Sequence, residues 1–149
     1  FWGVEYWFEK AEGVFSAISG YAGGHKANPT YIEVCTGLTG HLETVKVGYD
    51  ADKTTYEDLI KLFFETHNFT QKNGQGPDIG SQYLSAIFYQ NEEEKEIAEK
   101  YINILKEKGF DVATILREFK NFYEAEDYHQ DYYSKKGSIP YCHFYNKIF

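Results

Sequence analysis

The chain has 149 residues, with 15 Lys plus Arg against 23 Asp plus Glu and a net charge of −8, which argues against nucleic acid or an anionic membrane as partner. No run approaches the roughly 18 apolar residues of a membrane span, no secretory leader is visible, and the length suits a single domain, 1–149, with a sizeable core. Two cysteines, Cys35 and Cys142, make no disulfide framework, so a reducing, cytoplasmic compartment is the expectation.

From the N-terminus, Val4, Trp7, Phe8 and Ala11 fall at helical spacing and Gly13 stops the run, which predicts an amphipathic helix. Phe1 and Trp2 then stand at its opening turn, where unpaired backbone N–H groups collect and the dipole favours negative charge. An anionic nucleophile just upstream of Phe1 would sit well there. Val14 to Ile18 is expected as a short buried strand. It feeds a glycine-dense stretch, Gly20 to Glu43, holding Tyr31, Glu33, Cys35, His41 and Glu43. Glycine is used where a backbone needs positive φ or where something must approach closely. A long loop in a compact domain that is not low-complexity serves better as the wall of a site than as a plain connector.

Val45, Val47 and Tyr49 alternate with polar neighbours, the pattern of a half-buried strand. Thr54 with Glu57 predicts a capping box opening a helix whose Leu59, Ile60, Phe63, Phe64 and His67 share one face. A second polar loop, Asn68 to Gln82, leads to Tyr83 and a strand from Leu84 to Tyr89. Asn91 caps a charged helix with Ile97, Tyr101, Ile104 and Leu105 inward and Gly109 as its stop. Val112, Thr114 and Leu116 alternate as a last strand, and a short helix is expected around Glu126 to Tyr132. Ser138 to Phe149 has no period and should wrap back over the domain as a coiled tail. The fold class is α+β: one two-layer domain, a mixed β-sheet packed on helices.

Phe1-Trp2-Gly3, Gly20-Tyr21-Ala22-Gly23-Gly24, Asn28-Pro29-Thr30-Tyr31, Glu33 to Gly37, Thr39 to Glu43, Gln75 to Tyr83 and Ala125 to Gln130 together resemble the A-type peptide methionine sulfoxide reductases. The segments run in the family's order over nearly the whole chain. The family signature is Gly-Cys-Phe-Trp-Gly, so the resemblance puts the nucleophile immediately before Phe1, as cysteine, selenocysteine or a modified cysteine. It also implies a ferredoxin-like core and no cofactor. The substrate implied is a methionine S-sulfoxide, free or in a peptide or protein, with thioredoxin, glutaredoxin or a small thiol as reductant.

Reduction requires a thiolate or selenolate to attack the sulfoxide sulfur while the oxygen takes up a proton. By resemblance Glu43 is the general acid, a role that needs burial to raise its pKa above the usual value of about 4.3. Tyr31 and Tyr83 are the phenolic donors to the oxygen. Phe1 and Trp2 form the apolar cup for the S-methyl group, or else simply the hydrophobic start of a helix. Asp78 either helps hold the substrate amide or is a turn residue bonding local backbone. Cys142 is either a resolving thiol or an inert part of an aromatic tail. Cys35 is expected as a buried small apolar residue, and Asp127 and His129 as ties for the last helix. No CxxC or HExxH occurs, so no metal is expected. The competing readings are a module that binds oxidised methionine without reducing it, and a redox-interaction domain. Each follows if the residue before Phe1 is not a nucleophile.

Overall fold

A computed structural model describes residues 2–75, 78–130, 132 and 148–149. Phe1 and Cys142 lie outside the described residues. Helix α1 (Trp2–Glu9) buries Gly3, Glu5 and Phe8, and the chain turns at Gly13, whose φ of 83° suits glycine. Strand β1 (Val14–Ala22) is longer than the expected 14–18 segment and runs straight through Gly20. Its first half carries the exposed Phe15, and burial is complete only from Ser19 to Ala22. The glycine at 20 serves contact rather than a turn. A Cβ there would run into the Tyr123 carbonyl and the Phe122 ring of the neighbouring strand.

β1 is the centre of an antiparallel sheet of order β2-β1-β7, with β2 spanning Leu42–Tyr49 and β7 spanning Phe122–Glu124. Tyr21 pairs with Glu43 on one side and Tyr123 on the other. The sequence gives no warning of β7, since three residues are too few to show a period. Between β1 and β2 the predicted loop contains a five-residue helix, α2 (Tyr31–Cys35). Thr30 and Glu33 open it with a reciprocal capping box.

Helix α3 (Tyr56–Glu65) starts one residue later than expected. Thr55, not Thr54, accepts the Asp58 amide at 3.1 Å, because the Thr54 amide is already committed to the Asp50 carbonyl. The second polar loop holds a small antiparallel hairpin, β3 (Gly74–Gln75) with β4 (Asp78–Ile79), and a 3-10 turn at Ser81–Tyr83. Strand β5 (Ala86–Tyr89) pairs in parallel with β6 (Ile115–Glu118). Parallel and antiparallel ladders are thus both present and packed on helices. Helix α4 (Glu92–Glu107) is capped by Asn91 as expected. Its fully buried positions are Ala98, Tyr101, Ile102 and Leu105, a face turned slightly from the predicted one, with Ile97 and Ile104 at its margin.

The main core joins α3, α4 and β5 through Ile60, Phe64, Phe69, Ile87, Tyr101 and Leu105. Ile148 and Phe149 pack on its edge, and both their amides donate to Glu65 Oε2 at 2.7 and 3.2 Å. Of the helix expected around Glu126 to Tyr132, the described residues show a 3-10 turn, Asp127–His129, and a helical Tyr132, with Asp131 outside the described residues.

One buried polar chain ties α3 to both parallel strands. His67 Nδ1 donates to the Phe63 carbonyl at 2.6 Å, so its Nε2 must accept from Ser85 Oγ, also at 2.6 Å. Ser85 in turn accepts from Thr114 Oγ1 at 2.7 Å. Burial pushes the His67 pKa down from 6.5 to about 4. Unfolded His67 therefore binds a proton that the folded protein refuses across that window. Stability is fully present above pH 6.5 and falls as the pH drops towards 4, by up to about 3 kcal/mol. Urea unfolding from pH 7 to 4 should show this loss, and His67→Gln should lose less over the same range.

Candidate active site

Glu43, Tyr31, Tyr83, Asp78 and Trp2 all line one cavity of about 360 Å³, whose other walls include apolar residues of β2, α3 and β5. The five come from five different elements. Glu43 is the second residue of β2, and alternation puts it on the same face as Val45, Val47 and Tyr49. Tyr31 is the first residue of α2, Asp78 opens β4, Tyr83 closes the 3-10 turn and Trp2 begins α1.

The electrostatics separate an acid from two neutral donors. Burial raises the Glu43 pKa, and the Asp78 charge nearby pushes it the same way. Tyr83 is raised by burial and then by the charge of Glu43. Tyr31 is raised by burial first, then by its hydrogen bond to Cys35 and the charges of its neighbours. Both phenols consequently keep their protons at neutral pH and can donate. The arrangement presents one carboxyl and two hydroxyls to a cavity that Trp2 also lines.

Cys35 departs from expectation, for it is an exposed free thiol. Helix α2 buries only Val34, and Cys35, four residues on from Tyr31, shares the tyrosine's face and adds to the upward push on its phenol. His41 and Glu33, by contrast, are structural. His41 is buried, accepts the Gly24 amide on Nδ1 at 3.1 Å and donates from Nε2 to the Lys26 carbonyl at 2.7 Å. A Cβ on Gly24 would meet that imidazole at 2.5 Å. Glu33 completes the α2 cap and pairs with Lys26 at 3.2 Å.

Residues after β7 support the site in a way periodicity does not reveal. The Glu126 carboxylate accepts the Tyr21 hydroxyl at 2.9 Å and the Tyr31 amide at 3.0 Å, pinning the start of α2 to β1. Burial opposes its charge, but those hydrogen bonds win and hold its pKa below the usual value. Trp2 Nε1 donates to His129 Nδ1 at 3.0 Å, and its indole stacks on Tyr132 with centroids 3.7 Å apart. His129 thus ties the last turn to α1, consistent with a positional rather than an acid–base use. No group of His, Cys, Asp and Glu among the described residues could hold a metal ion. No helix among them is long and apolar enough to cross a membrane.

The chain is similar to known proteins in both sequence and fold. The family model for peptide methionine sulfoxide reductase matches residues 1–148. The peptide methionine sulfoxide reductase of Natronomonas pharaonis is 50% identical over 145 residues, which span 95% of this chain and 82% of that protein. Mxr1 of Saccharomyces cerevisiae in its reduced form superposes with a TM-score of 0.89 at 33% identity, covering 98% of this chain and 87% of that one. Methionine sulfoxide reductase A of Corynebacterium diphtheriae superposes at 0.80 with 38% identity, covering 95% and 72%.

Proposed function

This chain belongs to the peptide methionine sulfoxide reductase family, and on that premise we propose how its residues reduce a methionine S-sulfoxide, free or protein-bound. The observation that carries the reading is the half-buried Glu43, whose pKa burial raises and which lines one cavity with Tyr31, Tyr83 and Trp2. A thiolate or selenolate in the position before Phe1 stands at the N-terminal end of α1, where the helix dipole stabilises its charge. It attacks the sulfoxide sulfur. The S–O bond breaks, the oxygen passes to the enzyme as a sulfenic or selenenic acid, and methionine leaves as the thioether.

Glu43 supplies the proton that the oxygen needs as it departs from the substrate sulfur. Tyr31 and Tyr83 hydrogen-bond that oxygen and carry its developing charge. Phe1 and Trp2 take the S-methyl group, and Asp78 holds the substrate amide. With oxygen, methyl and peptide chain each assigned to its own part of the site, one sulfoxide epimer fits, and the family resemblance makes it the S form. The acid on the enzyme then condenses with a thiol, expelling water. Cys142, thioredoxin, glutaredoxin or a small thiol supplies that thiol, and a second thiol reduces the resulting bond. An exposed free Cys35 suits a reducing compartment such as the cytoplasm.

The test is dithiothreitol-driven turnover on separated epimers. Loss of the S-sulfoxide with the R form untouched is expected. Binding of either epimer without turnover, in protein carrying an intact thiol or selenol before Phe1, would instead favour a non-catalytic module.

A further inference from the structure

The cavity that holds Glu43 follows two strand edges rather than one sheet face. Side chains alternate along a strand, so a cavity lying on a face meets every second residue. Here each of residues 42–47 lines it, and so does each of residues 84–88. Strands β1 and β6, the pairing partners of β2 and β5 among the described residues, contribute none. The cavity therefore lies beyond the outer edges of β2 and β5, with Leu59, Ile60 and Phe63 of α3 also lining it. We propose that this slot is a peptide site, where an extended segment of an oxidised protein pairs as an added strand and delivers its methionine sulfoxide beside Glu43. This rests on the reaction assigned above and specifies the substrate class, a main chain recognised through its own backbone groups.

Three observations favour a peptide strand as the occupant. Both edges are open to pairing. An outer edge presents a row of N–H and C=O groups, and proteins that do not use such an edge blunt it with charge or proline. Strand β5 (Ala86–Tyr89) carries neither, and on β2 beyond Glu43 only Lys46 is charged. Apolar residues along both edges, Val45, Val47, Leu84, Ala86 and Phe88, are only half buried, so a strand that covers them gains apolar burial. Glu43 is itself an edge residue. Directly opposite residues of paired strands hold their Cβ atoms about 4.5–5.5 Å apart. A methionine sulfoxide opposite Glu43 thus brings its S–O group within reach of the carboxyl, in the cavity that Tyr31 and Tyr83 also line. Pairing of this kind needs a backbone rather than a particular sequence, which suits repair of a lesion found in many proteins.

The register makes recognition lopsided. Glu43 is the second residue of β2, and the strand runs on from it to Tyr49, a length of about 20 Å. One flank of the peptide lies along that length, with its second and fourth residues from the sulfoxide opposite Val45 and Val47. The other flank leaves past Leu42 and is not read.

The test uses soluble peptides with one methionine S-sulfoxide flanked on both sides by alternating Ser and Val. Backbone N–H groups are replaced one at a time by N–CH3, which removes a donor and holds the chain away from an edge. Methylation near the sulfoxide on one flank should raise KM about tenfold, roughly the worth of one hydrogen bond, with kcat little changed. The same change on the other flank should have no effect. Asp in place of Val on the sensitive flank should also raise KM. Hydrogen exchange reads the pairing without turnover. In Glu43→Gln protein, where slowed reduction preserves the complex, the unmethylated peptide should slow amide exchange within residues 44–47 and 86–88. Free methionine S-sulfoxide should not.

Equal KM for all the methylated peptides overturns the proposal. So does slow exchange along both edges before peptide is added, which would mean that β2 and β5 already pair with each other or with another part of the chain. Reduction of free methionine S-sulfoxide with no peptide effect leaves the assigned reaction standing and overturns the peptide site. Edge protection by the peptide in a protein that reduces no sulfoxide supports the peptide site and contradicts the reaction.

Discussion

Glu43→Gln should fold normally and reduce methionine S-sulfoxide on the order of 10³-fold more slowly in a single turnover. Glutamine keeps the shape and can still hydrogen-bond the oxygen, so substrate affinity should change little, but it has no proton to give. The stability effect has a definite sign. Burial raises the Glu43 pKa, so its contribution is most favourable below the ordinary carboxyl pKa and is lost as the pH rises through the raised folded value. Glutamine removes that loss, and the variant should be at least as stable as the parent at neutral pH. In the parent, the rate of the sulfoxide step should fall as the pH rises through the Glu43 pKa, and this limb should vanish in the variant. A single-turnover rate within a few fold of the parent's would remove Glu43 from the chemistry.

Removing the two phenols should cost more together than apart. Tyr31 and Tyr83 approach from different elements, and the two phenols are close enough for each to influence the other's proton. In Tyr31→Phe or Tyr83→Phe the surviving hydroxyl can still meet the substrate oxygen, so each single change should cost roughly 10- to 100-fold in kcat/KM. The double variant leaves no phenolic donor, and its loss should exceed the product of the two single losses. A double-mutant cycle in kcat/KM reads this directly. Strict additivity would mean that the two hydroxyls act on different atoms.

Much of the fold could be read from local pattern, and where it could not, the reason is physical. Helices α3 and α4 carry long amphipathic faces and side-chain caps, so Asn91 and Gly109 mark real ends. Their errors are one-residue shifts, because neighbouring threonines compete for the cap and a broad apolar stripe tolerates a small rotation. The glycine-rich stretch misled for a different reason. Gly20 is a strand residue whose missing side chain makes room for β7, and close approach between distant segments leaves no local trace. β7 itself is too short to announce itself.

The site shows the same division. Glu43, Tyr31, Tyr83 and Trp2 were legible only through motifs carried in family order, since among fourteen tyrosines spacing singles out none. In the structure all four line one cavity. Cys35 was misjudged because a small residue between Val34 and Thr36 looks internal, whereas a five-residue helix has only one buried face. Glu126 and His129 support the site across 95 and 127 positions of chain. That dependence is invisible until β7 returns the chain beside β1.

The most direct test of the whole account is the destination of the sulfoxide oxygen. One equivalent of methionine S-sulfoxide, added to the reduced protein with no other thiol present and followed by peptide mass mapping, should yield one equivalent of methionine. It should also leave a single added oxygen, or the bond formed from it, on the residue immediately before Phe1. Methionine release with the oxygen on Cys35 or Cys142 instead, or no oxygen transfer at all, would contradict it.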